Sequence, residues 1–131
     1  MSTATSDAAV VRRLYEARQG NDLEAASDLI AEDVVWHEPY EYLGTLNGRA
    51  AVMDAIRQSM VETEGTFKLV VTDLLASDLH VVALVDFSAE RHGGWMSGRE
   101  IGVFRVDGGK IAEVWFYTAE DPDAVSEFMR G

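Results

Sequence analysis

The sequence predicts an α+β fold in which three N-terminal helices pack on a curved, mainly antiparallel sheet and a short helix closes the chain. Segments of helical periodicity dominate the first half of the 131 residues, and four longer strand-like segments follow in the second half. Helices grouped before strands are typical of α+β rather than alternating α/β proteins. The inner face of such a sheet needs cover. The helices supply it, so sheet and helices are expected to form a cone-shaped barrel with one open end.

The first two helices follow from periodicity and capping residues. The first is expected over about residues 7–19, with residues 1–6 disordered, and its apolar face holds Val10, Leu14 and Ala17. Asn21 is the expected N-cap of a second helix that ends near residue 32. Glu24 follows three residues after Asn21, as in a capping box.

A short strand should begin at Val34 and reach His37 or Glu38, because Pro39 ends the apolar run. Residues 40–48 are expected to form a loop. Asn47 is the expected N-cap of a third helix, which ends near Gly65. Its apolar residues recur every four positions, at Val52, Ile56 and Met60.

Four strands are predicted after the third helix: TFKLVVTDLLAS, LHVVALVDFSAER, GWMSGREIGVFRV and KIAEVWFYT. Tight turns near Ser77–Asp78, at Gly93–Gly94 and at the DGG of residues 107–109 join them, and the last is a strong hairpin signal. Asp121 should cap the closing helix with Pro122 at its first position. That helix would dock through Val125, Phe128 and Met129.

Composition limits the classes of function. The 131 residues are expected to form one cytoplasmic domain, since no cysteine, signal peptide or apolar run of roughly 18 residues is visible. The net charge of -12 disfavours nucleic acid and anionic membranes as partners. The three histidines show no metal-binding spacing, so neither a metal nor another cofactor is expected.

The strand LHVVALVDFSAER separates cleanly by parity. One face is wholly apolar and should point into the core, and it holds Val81, Ala83, Val85, Phe87 and Ala89. The opposite face is mixed in character. His80 and His92 are expected to lie on the outside of the sheet.

Two passages, LYEARQGNDLEAASDLIAEDVVWHEP and REIGVFRVDGGKIAEVWFY, resemble the SnoaL-like branch of the NTF2-like superfamily. The resemblance extends from about Ala8 to Met129. That superfamily includes ketosteroid isomerases, polyketide cyclases, dehydratases, epoxide hydrolases and non-catalytic binding proteins. The resemblance therefore implies a conical pocket for a small apolar ligand and a homodimer formed through the outer sheet face.

Comparison with the ketosteroid isomerases implies a register for the last two strands. Ten residues would face the pocket: Met96, Gly98, Glu100, Gly102, Phe104, Val106, Ala112, Val114, Phe116 and Thr118. Glu113, Trp115 and Tyr117 would face outwards. Trp115 and Tyr117 would suit a dimer contact, because exposed apolar patches usually mark interfaces.

The same comparison places Glu38 where those isomerases carry their general base. A carboxylate at the rim of an apolar cone is partly desolvated, which raises its pKa towards the working pH. The isomerase oxyanion hole combines a tyrosine with a protonated aspartate. Leu14 and Gly102 fall at those two positions, and Tyr15 is one residue away, which is about 100° around a helix. Steroid isomerisation of the known kind is therefore disfavoured.

Two further residues are candidates for acid/base chemistry. Glu100 could serve as a neutral donor or pair with Glu38, or it could simply pair with Arg99. His37 is a second candidate catalytic residue, since neutral histidine is both acid and base. Strict alternation places Trp36 and Glu38 on one face and His37 on the other, but a bulge before proline would change this. The alternative for both His37 and Glu38 is a polar pairing at the rim.

Other residues are expected to bind the substrate. Tyr40 and Tyr42 lie in the loop over the mouth, and the remaining candidates are Tyr15, Trp36, Phe87, Glu100, Phe104, Val114 and Phe116. Two functions fit this pattern. One is a cofactor-free isomerase, dehydratase or cyclase that moves a proton on an apolar carbonyl compound. The other is a non-catalytic protein that binds a lipophilic ligand or acts as a dimeric scaffold.

Overall fold

A computed structural model describes residues 3–40 and 43–130 and confirms the α+β class. The helices are α1 (Thr3–Gln19), α2 (Leu23–Asp28), α3 (Arg49–Glu62) and α4 (Pro122–Arg130). The strands are β1 (Ile30–His37), β2 (Thr45–Asn47), β3 (Lys68–Ala76), β4 (Val81–Arg91), β5 (Gly94–Asp107) and β6 (Lys110–Thr118). None of the helices in the described part of the chain is long and apolar enough to cross a membrane.

The N-terminal elements differ from expectation at their ends. Helix α1 begins at Thr3, so residues 3–6, expected to be disordered, are helical. Asn21 does not cap α2, because it adopts a left-handed conformation with φ of 56°. Asp22 is the cap instead, and its carboxylate accepts a hydrogen bond of 3.0 Å from the Ala25 amide. The second helix is correspondingly short, and the strand that follows begins at Ile30.

The predicted loop at residues 40–48 contains a strand that was not predicted, β2. Strand β2 pairs antiparallel with β1, and Val35 lies opposite Asn47. Because Asn47 belongs to this pairing, it does not cap α3, and Gly48 takes the cap position with φ of 92°. Three residues make a weak strand signal, so only the pairing to β1 identifies β2.

The six strands form one sheet in the order β2-β1-β6-β5-β4-β3. All neighbouring pairs are antiparallel except β1 and β6, which run parallel. Strand β1 thus inserts the N-terminal half of the chain into a sheet built mostly by the C-terminal half. This insertion brings the end of β1, at His37, beside the middle of β6, at Trp115.

The predicted facing of β4 and β5 agrees with the structure. All five apolar residues assigned to the inner face of β4 are buried. On β5, Glu100, Gly102 and Phe104 are buried, whereas Arg99, Ile101 and Arg105 are exposed. The predicted facing of Ala112 on β6 is wrong. A bulge between Arg105 and Val106 pairs Val106 with Ile111, and Ile111 is the fully buried residue at that end.

The residues of the hairpin turns on either side of β5 have positive φ angles. Gly108 and Gly109 have φ of 57° and 79° and connect the paired residues Asp107 and Lys110. Two positive values are what a two-residue hairpin loop needs, and glycine adopts them without strain. The turn between β4 and β5 consists of His92 and Gly93 rather than Gly93 and Gly94, because Arg91 pairs with Gly94.

Helix α4 starts as predicted. Pro122 is its first residue, and the Asp121 carboxylate accepts a hydrogen bond of 3.0 Å from the Asp123 amide. Val125 and Met129 are buried on one face of the helix. This face covers the cavity described below.

Candidate functional site

A cavity lies between the inner face of the sheet and helices α1, α3 and α4. Its empty volume is about 620 Å³, including the part that opens to solvent. Most of its wall is apolar and consists of Trp36, Leu43, Val52, Ala55, Ile56, Phe67, Leu69, Phe87, Met96, Phe116, Val125 and Met129. Three charged side chains, Arg18, Glu38 and Glu100, complete the lining together with Tyr40 and Ser59.

The end of β1 turns Glu38 towards this cavity. Trp36 and Glu38 share one face, and the Trp36 Nε1–H donates a hydrogen bond of 2.8 Å to Glu38 Oε1. Trp36 is 2% exposed and packs on Phe116, with ring centroids 5.0 Å apart. The Glu38 amide donates to the Gly44 carbonyl, which closes the loop beyond Pro39. The carboxylate is therefore held by a buried aromatic residue on a strand.

Burial in the cavity raises the pKa of Glu38 above its ordinary value, because an ionised carboxylate loses hydration there. Two contacts act in the opposite direction. The hydrogen bond from Trp36 and the positive charge of Arg18 both favour the ionised form. Glu38 thus combines a desolvated environment with partners that stabilise its negative charge.

Glu100 supplies a second carboxyl group from β5. It is 9% exposed and lies opposite Val85 on β4 and Thr118 on β6. Burial, and then the negative charge of Glu38, raise the pKa of Glu100 to about 8, against a smaller opposing effect of Arg18. Arg99, the alternative partner, points outwards and reaches Asp86 with an Nε–Oδ1 distance of 3.5 Å. Glu100 is therefore a carboxyl group that the cavity favours in its protonated form.

The position that would hold the isomerase aspartate is closed in this chain. A Cβ atom at Gly102 would lie 2.7 Å from the Phe104 ring. Glu100 is two residues earlier on the same face of β5 and places its carboxyl group in the cavity. Leu14, at the position of the isomerase tyrosine, is buried in the core.

Tyr15 is buried but does not line the cavity. Its hydroxyl group has no hydrogen-bond partner within the described ranges, and its ring meets Phe104 edge-on at 5.9 Å. Burial and the negative charges of Glu100 and Glu38 raise the pKa of this hydroxyl group. Phe104 and Val114 are likewise fully buried without lining the cavity. These three predicted substrate-binding residues therefore belong to the core around the site.

The structure places His37 on the opposite face of β1 from Glu38. Its Nε2 lies 2.8 Å from Glu113 Oε2, and its ring stacks on Trp115 at 5.7 Å. His37 does not line the cavity. A side chain on the outer sheet face does not reach a ligand in the cavity, so the structure does not support the predicted catalytic role of His37.

We expect His37→Ala to leave ligand binding and any turnover unchanged while lowering stability by about 1 kcal/mol, the value of a partly buried side-chain hydrogen bond. Chemical denaturation and ligand titration on the same sample measure both. His80→Ala, on the same outer face, is the comparison. A large loss of turnover in His37→Ala with intact folding would return His37 to the candidate catalytic residues.

The remaining predicted substrate-binding residues differ in where the structure places them. Trp36, Tyr40, Phe87, Glu100 and Phe116 line the cavity, whereas Tyr42 lies outside the described residues. Arg18 and the helix residues of the wall were not predicted as site residues. Arg18 follows Leu14 by four residues, and Ser59 follows Ala55 by four, so helical spacing towards the core would have indicated both.

Comparison with known proteins identifies the family. The SnoaL-like domain model matches residues 11–114, and the chain therefore belongs to the SnoaL-like family. The predicted resemblance to the SnoaL-like branch of the NTF2-like superfamily is thus confirmed, and the NTF2-like fold is one that binds small ligands. None of the curated proteins matches the chain.

Solved structures agree with this assignment. Bal32a, from a soil-derived mobile gene cassette, is 30% identical with a TM-score of 0.92, over 98% of this chain and 100% of its own. A Xanthomonas campestris protein with a cystatin-like fold is 26% identical with a TM-score of 0.83, over 98% and 97% of the two chains. TerC, co-crystallised with polyporic acid, is 17% identical with a TM-score of 0.81, over 96% and 99%. The likeness to TerC concerns the fold alone.

Proposed function

We propose that this protein is a cofactor-free enzyme that transfers a proton on an apolar, carbonyl-bearing small molecule. The observation that carries the proposal is the pair of carboxyl groups, Glu38 and Glu100, in an otherwise apolar cavity. In many enzymes, two titratable groups have different pKa values because their surroundings differ, and this difference indicates which group is the acid and which the base. Isomerisation, dehydration and cyclisation all begin with such a proton transfer.

The surroundings of the two carboxyl groups support different roles. Glu38 has a hydrogen bond from Trp36 and is stabilised by Arg18, so it is the group that stays ionised and acts as general base. Glu100 is the more deeply buried residue and has a pKa of about 8, so near neutral pH it keeps its proton and acts as hydrogen-bond donor. One proton shared by two neighbouring carboxyl groups avoids two buried like charges.

Glu38 and Glu100 together supply the two groups that the proposed proton transfer needs. The Glu38 carboxylate takes the proton from the carbon beside the carbonyl group, and the electron pair of that C–H bond moves into the carbonyl system. The carbonyl oxygen becomes an enolate oxygen, which the protonated Glu100 stabilises by a hydrogen bond. Return of the proton from Glu38 to another carbon would give an isomer. The apolar wall excludes water and strengthens both interactions.

Hydrogen–deuterium exchange tests the proposal without knowledge of the natural substrate. Aromatic methyl ketones such as 4-acetylbenzamide are incubated with the protein in D₂O, and NMR follows loss of the methyl proton signal. Exchange faster than in buffer supports proton abstraction. Binding without faster exchange across a panel of ketones would contradict it and favour the non-catalytic ligand-binding protein.

We also propose a homodimer through the outer face of β5 and β6. Ile101 and Tyr117 are paired across these strands and are 41% and 55% exposed, and Trp115 lies on the same face. Exposed apolar side chains on one sheet face are typical of interfaces between subunits.

We expect Ile101→Lys combined with Tyr117→Lys to convert a dimer to a monomer, because the facing copies would then bury like charges. Sedimentation velocity measures the change. Val61→Lys is the control, since Val61 is exposed on α3, away from the sheet. A monomeric parent protein at tens of micromolar would contradict the dimer.

A further inference from the structure

Among the described residues one cation lines the cavity, Arg18, and in the proposed reaction it favours the ionised form of Glu38 without contacting the reacting atoms. Arg18 is in the last turn of α1 and is half-buried, and its side chain lines the cavity beside Glu38 and Glu100. Within residues 3–40 and 43–130, Arg18 takes part in none of the ion pairs. Its guanidinium group influences both carboxyl groups through space without forming an ion pair with either.

Arg18 also lies at the junction between the cavity and a neighbouring crevice. A second, smaller crevice with about 340 Å³ of empty volume adjoins the cavity and shares Arg18, Ile56, Ser59, Phe67 and Leu69 with it. The crevice opens between the C-terminal ends of α1 and α3, at Asn21 and Gly65. Arg18 therefore lines both spaces, and so does Ser59, whose hydroxyl group donates a hydrogen bond of 2.8 Å to the Ile56 carbonyl.

From this placement we infer that the substrate of the proposed enzyme is a carbonyl compound that also carries a carboxylate, and that Arg18 binds the carboxylate. The inference rests on the proposed function, because the carbonyl group is the one that Glu38 and Glu100 would act on. Guanidinium groups bind carboxylates through paired, charge-assisted hydrogen bonds. The apolar body of the substrate would occupy the cavity, with its carboxylate at the junction.

Charge favours a carboxylate over a more highly charged group. Arg18 is the only cation among the described residues that line the cavity and the crevice, and it stands beside two carboxyl groups. A carboxylate adds one negative charge beside the ionised Glu38, whereas a phosphate dianion would add two against the same single guanidinium group in a desolvated space. The chain as a whole has a net charge of -12, so attraction of any anion has to come from this local site.

A matched pair of probes tests the inference. 4-Acetylbenzoate and 4-acetylbenzamide have the same ring and ketone and differ in the charge of one group. Calorimetric titration should give a Kd for the benzoate about tenfold lower than for the benzamide. Arg18→Met should remove this preference, so that the two probes bind with similar Kd values. Arg18→Lys should keep part of the preference, because a lysine retains the positive charge without the paired donors of the guanidinium group.

Arg13→Met is the control, because Arg13 is exposed on the same helix and its loss changes the net charge equally. Equal affinity of the parent protein for both probes would overturn the inference, as would an equal loss of preference in Arg13→Met. The parent protein alone decides the first point, even if Arg18→Met fails to fold. Exchange at the methyl group of the benzamide separates the two proposals. Exchange without a charge preference refutes only the carboxylate site, and a charge preference without exchange refutes only the proton transfer.

Discussion

Glu38→Gln should lower the rate of ketone hydrogen–deuterium exchange about a thousandfold, which is within the usual contribution of a general base. Glutamine keeps the size of the side chain, and its carbonyl oxygen can still accept the hydrogen bond from Trp36. It cannot accept a proton from carbon at neutral pH. NMR exchange rates for parent and variant, measured at saturating ketone, give the ratio directly.

Glu32→Gln is the matched control, because Glu32 is exposed on the same strand. It should exchange at the parent rate. Ligand affinity in Glu38→Gln should change by less than about threefold, since the apolar wall supplies most of the binding. If the variant retains a third of the parent rate, Glu38 is not the base.

Glu100→Gln should stabilise the protein, and the gain should grow with pH. The pKa of Glu100 is raised from 4.5 to about 8 in the folded protein. Between these values the unfolded chain releases the proton and the folded chain retains it, so the stability of the parent protein falls as pH rises. Glutamine resembles the protonated form and removes this dependence. We expect a gain of about 4 kcal/mol at pH 8 and less than about 1 kcal/mol at pH 5.

Urea denaturation at several pH values measures this difference. Glu90→Gln, which alters an exposed residue on β4, should show no comparable pH-dependent gain. A constant difference across the pH range would mean that Glu100 is ionised throughout. Stabilisation on removal of a buried carboxyl group is the behaviour expected of a functional residue held at a cost to the fold.

The sequence predicted the central strands well because their alternation is dictated by burial. Val81 to Ala89 alternate strictly, and every predicted inward residue of β4 is buried. The facing of His37 and Glu38 depended on whether β1 bulges before Pro39. The end of β1 contains no bulge, because Val35, Trp36 and His37 pair in register with both β2 and β6. That pairing is a tertiary property, and no local pattern in residues 34–39 reveals it.

Other features needed three-dimensional information for different reasons. The bulge that buries Ile111 is a property of the pairing between β5 and β6, which the alternation within either strand does not reveal. The cavity wall combines residues from α1, α3 and α4, and the sequence gives the inward face of each helix but not their meeting point. Arg18 is the main example. Its spacing from Leu14 indicates the face of α1 that it shares, but only the packing of α1 on the sheet places it beside Glu38.

The hydrogen bond between Trp36 and Glu38 also makes the site visible to optical methods. Indole fluorescence responds to a charge on a hydrogen-bonded neighbour, and Trp36 is shielded from solvent while Trp95 is 62% exposed. Iodide or acrylamide would quench the fluorescence of Trp95 preferentially, so Trp36 would contribute a larger share of the remaining emission. The protein thus carries a built-in chromophore next to its proposed base, so occupancy and ionisation of the site can be followed without an added label.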